Sequence, residues 1–449
     1  MKKRFDAIVV GAGSGLLISS AAASIRKRVA IVEPGPFGGT CLNRGCIPSK
    51  MLIHCADVAD TISNSSDFGI VSKITRVNWK RIIDRAYSII DEDAKNIEQA
   101  NRKSKNITVF KGVAEFSGPK RLRVGKYELT APKIFIAAGS RPFVPKIPGL
   151  ESVPFITSRN ALRLERQPKR IAIIGGGYIG CEIAHFFGSL GTKVTIIDRN
   201  SLLMKHEDLD ISQKLTEIYT TKFNVLLNAD VERVSRSKKG IVTHILVGGK
   251  QKKIVSDELL VATGRIPNSD LLKVENAGIK TDKRGFIKTD RFLETNVKGI
   301  WAIGDIVGRY MFKHSANLEA SYAFNNAFAK KARVDYNAMP HASFTSPQIA
   351  SVGETEEELI SRNARYEKTF SRYIDTGYGL AIDDREGFVK ALFDPQGRIL
   401  GCHIIGSQAS ILIHEVIVAM RAGLKRGDVA RTVHIHPALS EVVQRAFGQ

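Results

Sequence analysis

Phe5-Asp6-Ala7-Ile8-Val9-Val10-Gly11-Ala12-Gly13-Ser14-Gly15, near the start of the chain, and Arg170-Ile171-Ala172-Ile173-Ile174-Gly175-Gly176-Gly177, far downstream, follow one plan. Each is a short apolar run that enters a glycine-rich turn. A stretch of helical composition follows each turn, then a second apolar run. The first of these, Val29-Ala30-Ile31-Val32, ends in Glu33; the second, Lys193-Val194-Thr195-Ile196-Ile197, ends in Asp198. Strand, turn, helix and strand in this order form the unit that binds a dinucleotide. Backbone N–H groups at the helix start face the pyrophosphate, and the acid at the strand end accepts from ribose hydroxyls. One G-x-G-x-x-G match is a weak signal. Two copies with correctly placed acids predict two dinucleotide sites on two doubly wound parallel sheets, an α/β architecture. The second copy, Gly175-x-Gly177-x-x-Gly180, is complete, whereas the first has Leu16 at the third glycine position. That glycine serves helix–strand packing rather than phosphate contact, so Leu16 predicts a slightly displaced helix and an intact site.

Outward from these units, 449 residues are too many for one core, and two to four domains are expected. Residues 77–102 read as a long charged helix, followed by short strands as far as Ala138. After Asp305 the chain turns helical through Ala329. Beyond Pro340 strands (389–393, 399–405) alternate with helices (410–422, 439–445), which predicts a separate C-terminal α+β domain.

A 43% hydrophobic and 25% charged composition is that of an ordinary globular protein. Lys2, Lys3 and Arg4 ahead of an apolar stretch resemble a secretory signal. Asp6 and the glycines within the stretch argue against one, and a cytoplasmic protein is expected. No apolar run approaches a membrane span. The net charge of +22 comes from bases scattered without long runs or aromatic interleaving, so neither nucleic acid nor membrane is an expected partner. Five cysteines are too few for a disulfide framework, and a close pair among them points to redox or metal chemistry.

That pair lies in Gly38-Gly39-Thr40-Cys41-Leu42-Asn43-Arg44-Gly45-Cys46-Ile47-Pro48-Ser49-Lys50. C-x4-C has the wrong spacing for zinc and no second Cys/His pair follows, so no metal is expected. Pro48 suits the first turn of a helix. Cys46 then sits near a helix N-terminus with Lys50 one turn on, and both features favour its thiolate. Cys55, Cys181 and Cys402 fall in apolar contexts and are assigned no chemistry.

The Cys41–Lys50 stretch resembles the redox-active segment of the class I pyridine nucleotide–disulfide oxidoreductases, and the likeness covers essentially the whole chain. Ala137-Ala138-Gly139-Ser140-Arg141-Pro142 and Ala262-Thr263-Gly264-Arg265-x-Pro267-Asn268 resemble the family's two crossover segments. Ala302-Ile303-Gly304-Asp305 is similar to its second flavin motif, and Phe344-Thr345-x-Pro347-Gln348 to the start of its interface domain. His434-Ile435-His436-Pro437-Ala438-Leu439-Ser440-Glu441 resembles its catalytic-base segment, with Ala438 where Thr is usual. The resemblance implies FAD and a nicotinamide dinucleotide as cofactors and a homodimer with a shared active site. It also implies four segments: an FAD-binding part (1–145), an NAD(P)-binding domain (146–266), a central FAD segment (267–335) and a dimer-interface domain (336–449).

The implied roles follow. Electrons pass from the nicotinamide through the flavin to Cys46, freeing Cys41 to exchange with a substrate disulfide. His436, oriented by Glu441 and supplied by the partner subunit, handles the proton, while His434 is structural. Lys50 and Glu182 match the ion pair beside the flavin. The expected flavin-nucleotide contacts are Gly11, Gly13, Gly15, Glu33, Thr40, Lys50, Ala114 and Asp305. Those of the second dinucleotide are Gly175, Gly177, Gly180, Asp198, Arg199 and Gly264. Tyr178 matches an aromatic lid of some members or is a packing residue. Asp198 favours NAD, whereas Arg199 and Lys205 fall where NADPH-using members carry cations. NAD(H) is expected to be preferred, with measurable use of NADP(H). The expected substrate is a lipoyl group, free or on a lipoyl domain, as in dihydrolipoyl dehydrogenase. The run Lys313-His314-Ser315-Ala316-Asn317-x-Glu319-Ala320 is closer to the mycothione reductase branch, so a small-thiol disulfide reductase is the alternative. A non-catalytic flavoprotein scaffold is disfavoured by the intact cysteine pair and base dyad.

Overall fold

A computed structural model describes residues Met1–Gln449. Its first layer is a five-stranded parallel sheet in the order Ile300–Ala302, Lys133–Ile136, Ala7–Val10, Val29–Val32 and Ile107–Phe110. Alternate residues of the central strands feed two cores. Ile8, Val10, Ala30 and Val32 face one side, and Ala7, Val9 and Val29 join Ile18 and Ala22 of the helix Gly15–Ser24 on the other. Burial on both faces explains why these strands read as continuous apolar runs. The strand Ile300–Ala302 completes this sheet only after the second unit has been inserted.

The second unit repeats the plan with Asn224–Leu226, Lys193–Ile197, Arg170–Ile174 and Glu258–Val261, all parallel. An antiparallel sheet (Ala229–Ser237, Gly240–Val247, Lys250–Ser256) flanks it. The chain enters and leaves this unit side by side, because Ser140–Pro142 pairs antiparallel with Arg265–Pro267. These strands belong to the two segments read as crossovers.

The charged helix spans Trp79–Lys103. Helix after Asp305 begins later than its composition suggested, at Lys313, and ends at Phe328. The C-terminal region is a five-stranded antiparallel sheet ordered Pro340–Ser343, Gln348–Gly353, Ile399–Gly406, Phe388–Phe393 and Glu367–Arg372. Helices Ala409–Ala422 and Glu441–Gly448 share its core. It is fastened to the second nucleotide unit by Lys390. This fully buried ammonium lies 2.8 Å from Asp208, 2.6 Å from Asp210 and 2.6 Å from Glu356. No helix is long and apolar enough to cross a membrane.

Candidate active site

Both glycine turns, the cysteine loop and the crossover segments open onto one cavity of about 1720 Å³. Gly11 and Gly175 have positive φ (105° and 110°), and a Cβ on either would lie 2.3 or 2.4 Å from a carbonyl oxygen of the neighbouring strand end, Ala137 or Ala262. Only glycine fits there. At Gly177 a Cβ would meet nothing within 4 Å, and at Gly13 only the Gly39 Cα at 3.7 Å. The backbone is therefore bare toward the cavity where a pyrophosphate must approach helix N–H groups. The residues present fit two dinucleotides.

The third-glycine expectation is refined by the structure. Gly180 does pack the second helix, since its Cβ would fall 1.9 Å from the Gly175 oxygen. In the first unit that role moves to Gly15, whose Cβ would meet Val9 Cγ1 at 2.7 Å, and the helix starts at Gly15 itself. Leu16 instead packs beside Ala12, Ile31 and Phe37. Neither Gly15 nor Gly180 lines the cavity. Of the other expected nucleotide contacts, Gly11, Gly13, Glu33, Thr40, Lys50, Ala114, Asp305, Gly175, Gly177, Asp198, Arg199 and Gly264 all do.

The two strand-end acids brace their turns in the same way. Glu33 accepts from the Ala12 and Gly35 N–H groups, both at 2.8 Å. Asp198 accepts from the Gly176 N–H, and from the backbone and side chain of Asn200 at 2.7 and 2.6 Å. The shorter aspartate is buried, and most of its acceptor capacity is taken up within the turn. Arg199, Lys205 and His206 line the cavity beside it. Asp305 accepts from Ser140 Oγ at 2.6 Å, with the Arg265 guanidinium 3.6 Å away.

Cys41 lies in the short helix Gly39–Arg44, and Gly45 breaks it so that Cys46 opens the helix Cys46–Ser63. Buried Asn43 pins the loop by donating to the carbonyls of Phe37 (2.8 Å) and Gly39 (2.9 Å). Both cysteines are thiols here. The neighbouring Cys46 sulfur, together with burial, raises Cys41 well above its ordinary value. The Cys41 thiol, aided by Lys50, pulls Cys46 down to about 7 against burial and the Glu182 charge. Negative charge in the reduced pair thus rests on Cys46. Lys50 Nζ sits 2.8 and 2.9 Å from the Glu182 oxygens and 4.4 Å from the centre of the Phe344 ring. Glu182 also accepts from the Phe344 N–H at 2.9 Å.

Tyr178 lines the cavity, and its hydroxyl is held by Glu207, a side chain with no exposed surface. Glu207 also accepts from His341 Nε2 and from Ser351 Oγ at 2.8 Å. Burial opposes its charge, yet these donors keep its carboxyl below the ordinary range. The sequence reading missed this cluster, because it joins residues from the second unit and the C-terminal sheet.

His436 and Glu441 are assembled but lie away from the cavity. His436 Nδ1 and Glu441 Oε1 are 2.8 Å apart, and Glu441 Oε2 accepts from the Ala438 N–H at 3.1 Å. The bond from His436 holds the Glu441 carboxyl below its ordinary value. The His436 side chain is 74% exposed, flanked by Val433 and Ile435 at 94% and 78%. Its neighbour His434 is buried against Glu415 at 2.6 Å, a structural placement. Cys181 and Cys402 are fully buried, and no cluster of three or more His, Cys, Asp or Glu is arranged to hold a metal.

Two dinucleotide cradles meeting at a cysteine pair define an enzyme of flavin-linked disulfide chemistry. The family model described as pyridine nucleotide-disulphide oxidoreductase matches residues 5–320, and its dimerisation domain matches 339–447. The chain is 38% identical to mycothione reductase of Mycobacterium tuberculosis, over 99% of this chain and 98% of that protein. It is 35% identical to dihydrolipoyl dehydrogenase of Chlamydia pneumoniae, over 98% and 96%. The copper(II) complex of the HOCl-induced flavoprotein disulfide reductase RclA from Escherichia coli superposes with a TM-score of 0.89 at 29% identity, covering 99% of both chains. The chain belongs to the class I pyridine nucleotide–disulfide oxidoreductases, enzymes that use FAD and NAD(P)H.

Proposed function

We propose that this flavoprotein disulfide oxidoreductase reduces the disulfide of a low-molecular-weight thiol with NAD(P)H, in the manner of mycothione reductase. The observation that carries the reading is the Lys313–Ala320 run, which places a lysine on the cavity wall and resembles the mycothione reductase branch. The 38% identity to that enzyme supports it. Lipoyl groups are the second reading, favoured by the full-length likeness to dihydrolipoyl dehydrogenases.

Bound flavin supplies the two-electron relay between nicotinamide and the Cys46 sulfur. The chain's own residues do the rest. Lys50, anchored by Glu182, places positive charge beside Cys46 and stabilises its thiolate. Cys41 attacks the substrate disulfide RS–SR: a Cys41–SR bond forms, RS–SR breaks, and RS⁻ leaves. Cys46 thiolate then attacks Cys41, expelling the second RS⁻ and closing the Cys41–Cys46 disulfide. Glu441 accepts from His436 Nδ1, which leaves Nε2 as the face that exchanges a proton with Cys41 and the leaving thiolate. In the homodimer that face serves the partner's cavity.

Steady-state turnover of lipoamide, glutathione disulfide and mycothiol disulfide with NADH and NADPH tests the reading. A small-thiol dimer is expected to have the highest kcat/KM. Lipoamide ahead by tenfold or more would establish the lipoyl reading instead.

A further inference from the structure

Glu207 is a buried carboxylate that the reaction above does not use. The segment carrying it lies against the second glycine turn, because the Met204 N–H donates to the Gly176 oxygen at 2.9 Å. Three donors meet its carboxylate. One is the hydroxyl of Tyr178, the first helical residue after that turn. The others come from the C-terminal sheet: His341 Nε2 lies 3.0 and 3.1 Å from the two oxygens, and Ser351 Oγ donates at 2.8 Å. A buried carboxylate is tolerated when its acceptor sites are filled, and each donor removed leaves part of that charge uncompensated. Tyr178 is therefore not free to turn. Its hydroxyl end is fixed inside the wall, while its ring lines the cavity. The ring is held sideways as well, edge-on to the nearly parallel rings of Phe312 (5.9 Å, 88°) and His341 (6.2 Å, 88°). None of Glu207, His341 and Ser351 lines the cavity.

The place of the ring matters because Tyr178 follows Gly177, the bare glycine at which a dinucleotide approaches the helix start. A ring whose hydroxyl is buried in the wall leaves that approach clear. Freed of its anchor, the ring can rotate about χ1 into the cavity it lines and compete with an incoming dinucleotide. A protein that binds in only one of its conformations loses affinity in proportion to the time it spends in the others. We propose that Glu207 is a positioning residue for coenzyme binding: by holding the Tyr178 hydroxyl it parks the ring in the wall and keeps the second dinucleotide site open. His341 and Ser351 act through Glu207, so residues of the C-terminal sheet set the affinity of a site in another domain. Tyr178 is then a fixed wall and not a moving lid. The inference concerns the second cradle alone and stands whichever disulfide is reduced.

The test is calorimetric titration of the oxidised, FAD-loaded enzyme with NAD⁺ and, separately, NADP⁺, neither of which reduces the flavin. For the tighter of the two, Glu207→Met is expected to weaken binding by about tenfold, the loss when the open state falls to about a tenth of the population. Glu207→Gln, which keeps an acceptor for the hydroxyl, should recover most of that loss. Tyr178→Phe, which keeps the ring and loses the anchor, should weaken binding as Glu207→Met does. His341→Phe, which keeps the ring stack and donates nothing, should weaken it by roughly two- to threefold, about the effect of one hydrogen bond. In a Tyr178→Ala background, with no ring to park, Glu207→Met should change the affinity no further. Wild-type affinity in Glu207→Met overturns the proposal. So does an undiminished loss in the Tyr178→Ala background, which would make Glu207 a purely structural acid. Tighter binding by Tyr178→Phe would place the pinned ring across the site and overturn it too. Should Glu207→Met fail to fold, unchanged affinity in His341→Phe overturns it.

Discussion

The cysteine loop and the His436 segment, two halves of one reaction on the reading proposed above, are built in opposite ways. The loop is complete within its own chain: Asn43 pins it, Gly45 breaks it, and Cys46 meets Lys50 and Glu182 inside the cavity. The His436 segment is equally well formed, its imidazole already bonded to Glu441, but it faces outward in a stretch that also exposes Val433 and Ile435. Large apolar side chains at 94% and 78% exposure beside an oriented base mark a surface made to be covered. On that reading thiolate chemistry is set up within one chain, whereas proton delivery to the substrate waits for a second copy. The match to a dimerisation domain over this region agrees.

The largest expected effect tests that division directly. His436→Gln should cut disulfide turnover by about two orders of magnitude or more, the usual loss for a positioned acid–base, while reduction of the enzyme by NAD(P)H proceeds normally in stopped flow. Mixed dimers of His436→Gln and Cys41→Ser subunits should recover activity, because one complete site is rebuilt. No recovery after verified subunit exchange would place both halves in one chain.

The interior half is tested through Cys46. Its thiolate in the reduced enzyme, followed by the long-wavelength absorbance of a thiolate beside oxidised flavin, should titrate near pH 7 and not near the ordinary cysteine value of 9.0. A depressed value contributes stability that is fully present above the ordinary pKa and is lost as pH falls through about 7. Lys50→Met should move the midpoint upward by about one unit, the usual effect of a lost neighbouring cation. An unmoved midpoint would assign the shift to Cys41 and the helix start alone. Asn43→Ala, which removes both pins on the loop, should lower thermal stability by about 1–3 kcal/mol and leave the His436–Glu441 pair untouched. Calorimetry of the reduced enzyme measures the first, and the pH dependence of disulfide turnover the second.

The smallest effect concerns the coenzyme, where the second nucleotide unit meets the interior half. Asp198 spends its oxygens on Gly176 and Asn200, so its charge, more than its hydrogen bonds, opposes a 2′-phosphate. NAD(H) is expected to be preferred only modestly, by less than about tenfold in kcat/KM, because exposed cations such as Arg199 and Lys205 offset the carboxylate. Asp198→Ala should move the ratio toward NADPH and Arg199→Ala should move it back. A native preference for NADPH would mean the buried aspartate no longer counts at the ribose.

Much of this was legible in the chain because its chemistry is local. Glycines whose Cβ atoms would strike a carbonyl, a proline in the first helical turn, cysteines one loop apart and a histidine five residues from its glutamate all act over a few residues. Periodicity and spacing report such features. The first unit's third glycine was not legible in this way: Gly15, expected against the cofactor, does the packing that Leu16 left undone. What only the tertiary structure decided are contacts between residues far apart in the chain. Lys313 meets Ser14 across 299 residues, and Glu207 joins Tyr178 to His341, which lies 134 residues further on. Composition told nothing of how Lys390 is balanced, because that depends on Asp208, Asp210 and Glu356, which only the folded sheets bring near it. Charge on a side chain belongs to the sequence; whether water, a partner or a reacting sulfur balances it is settled only when the chain closes around it.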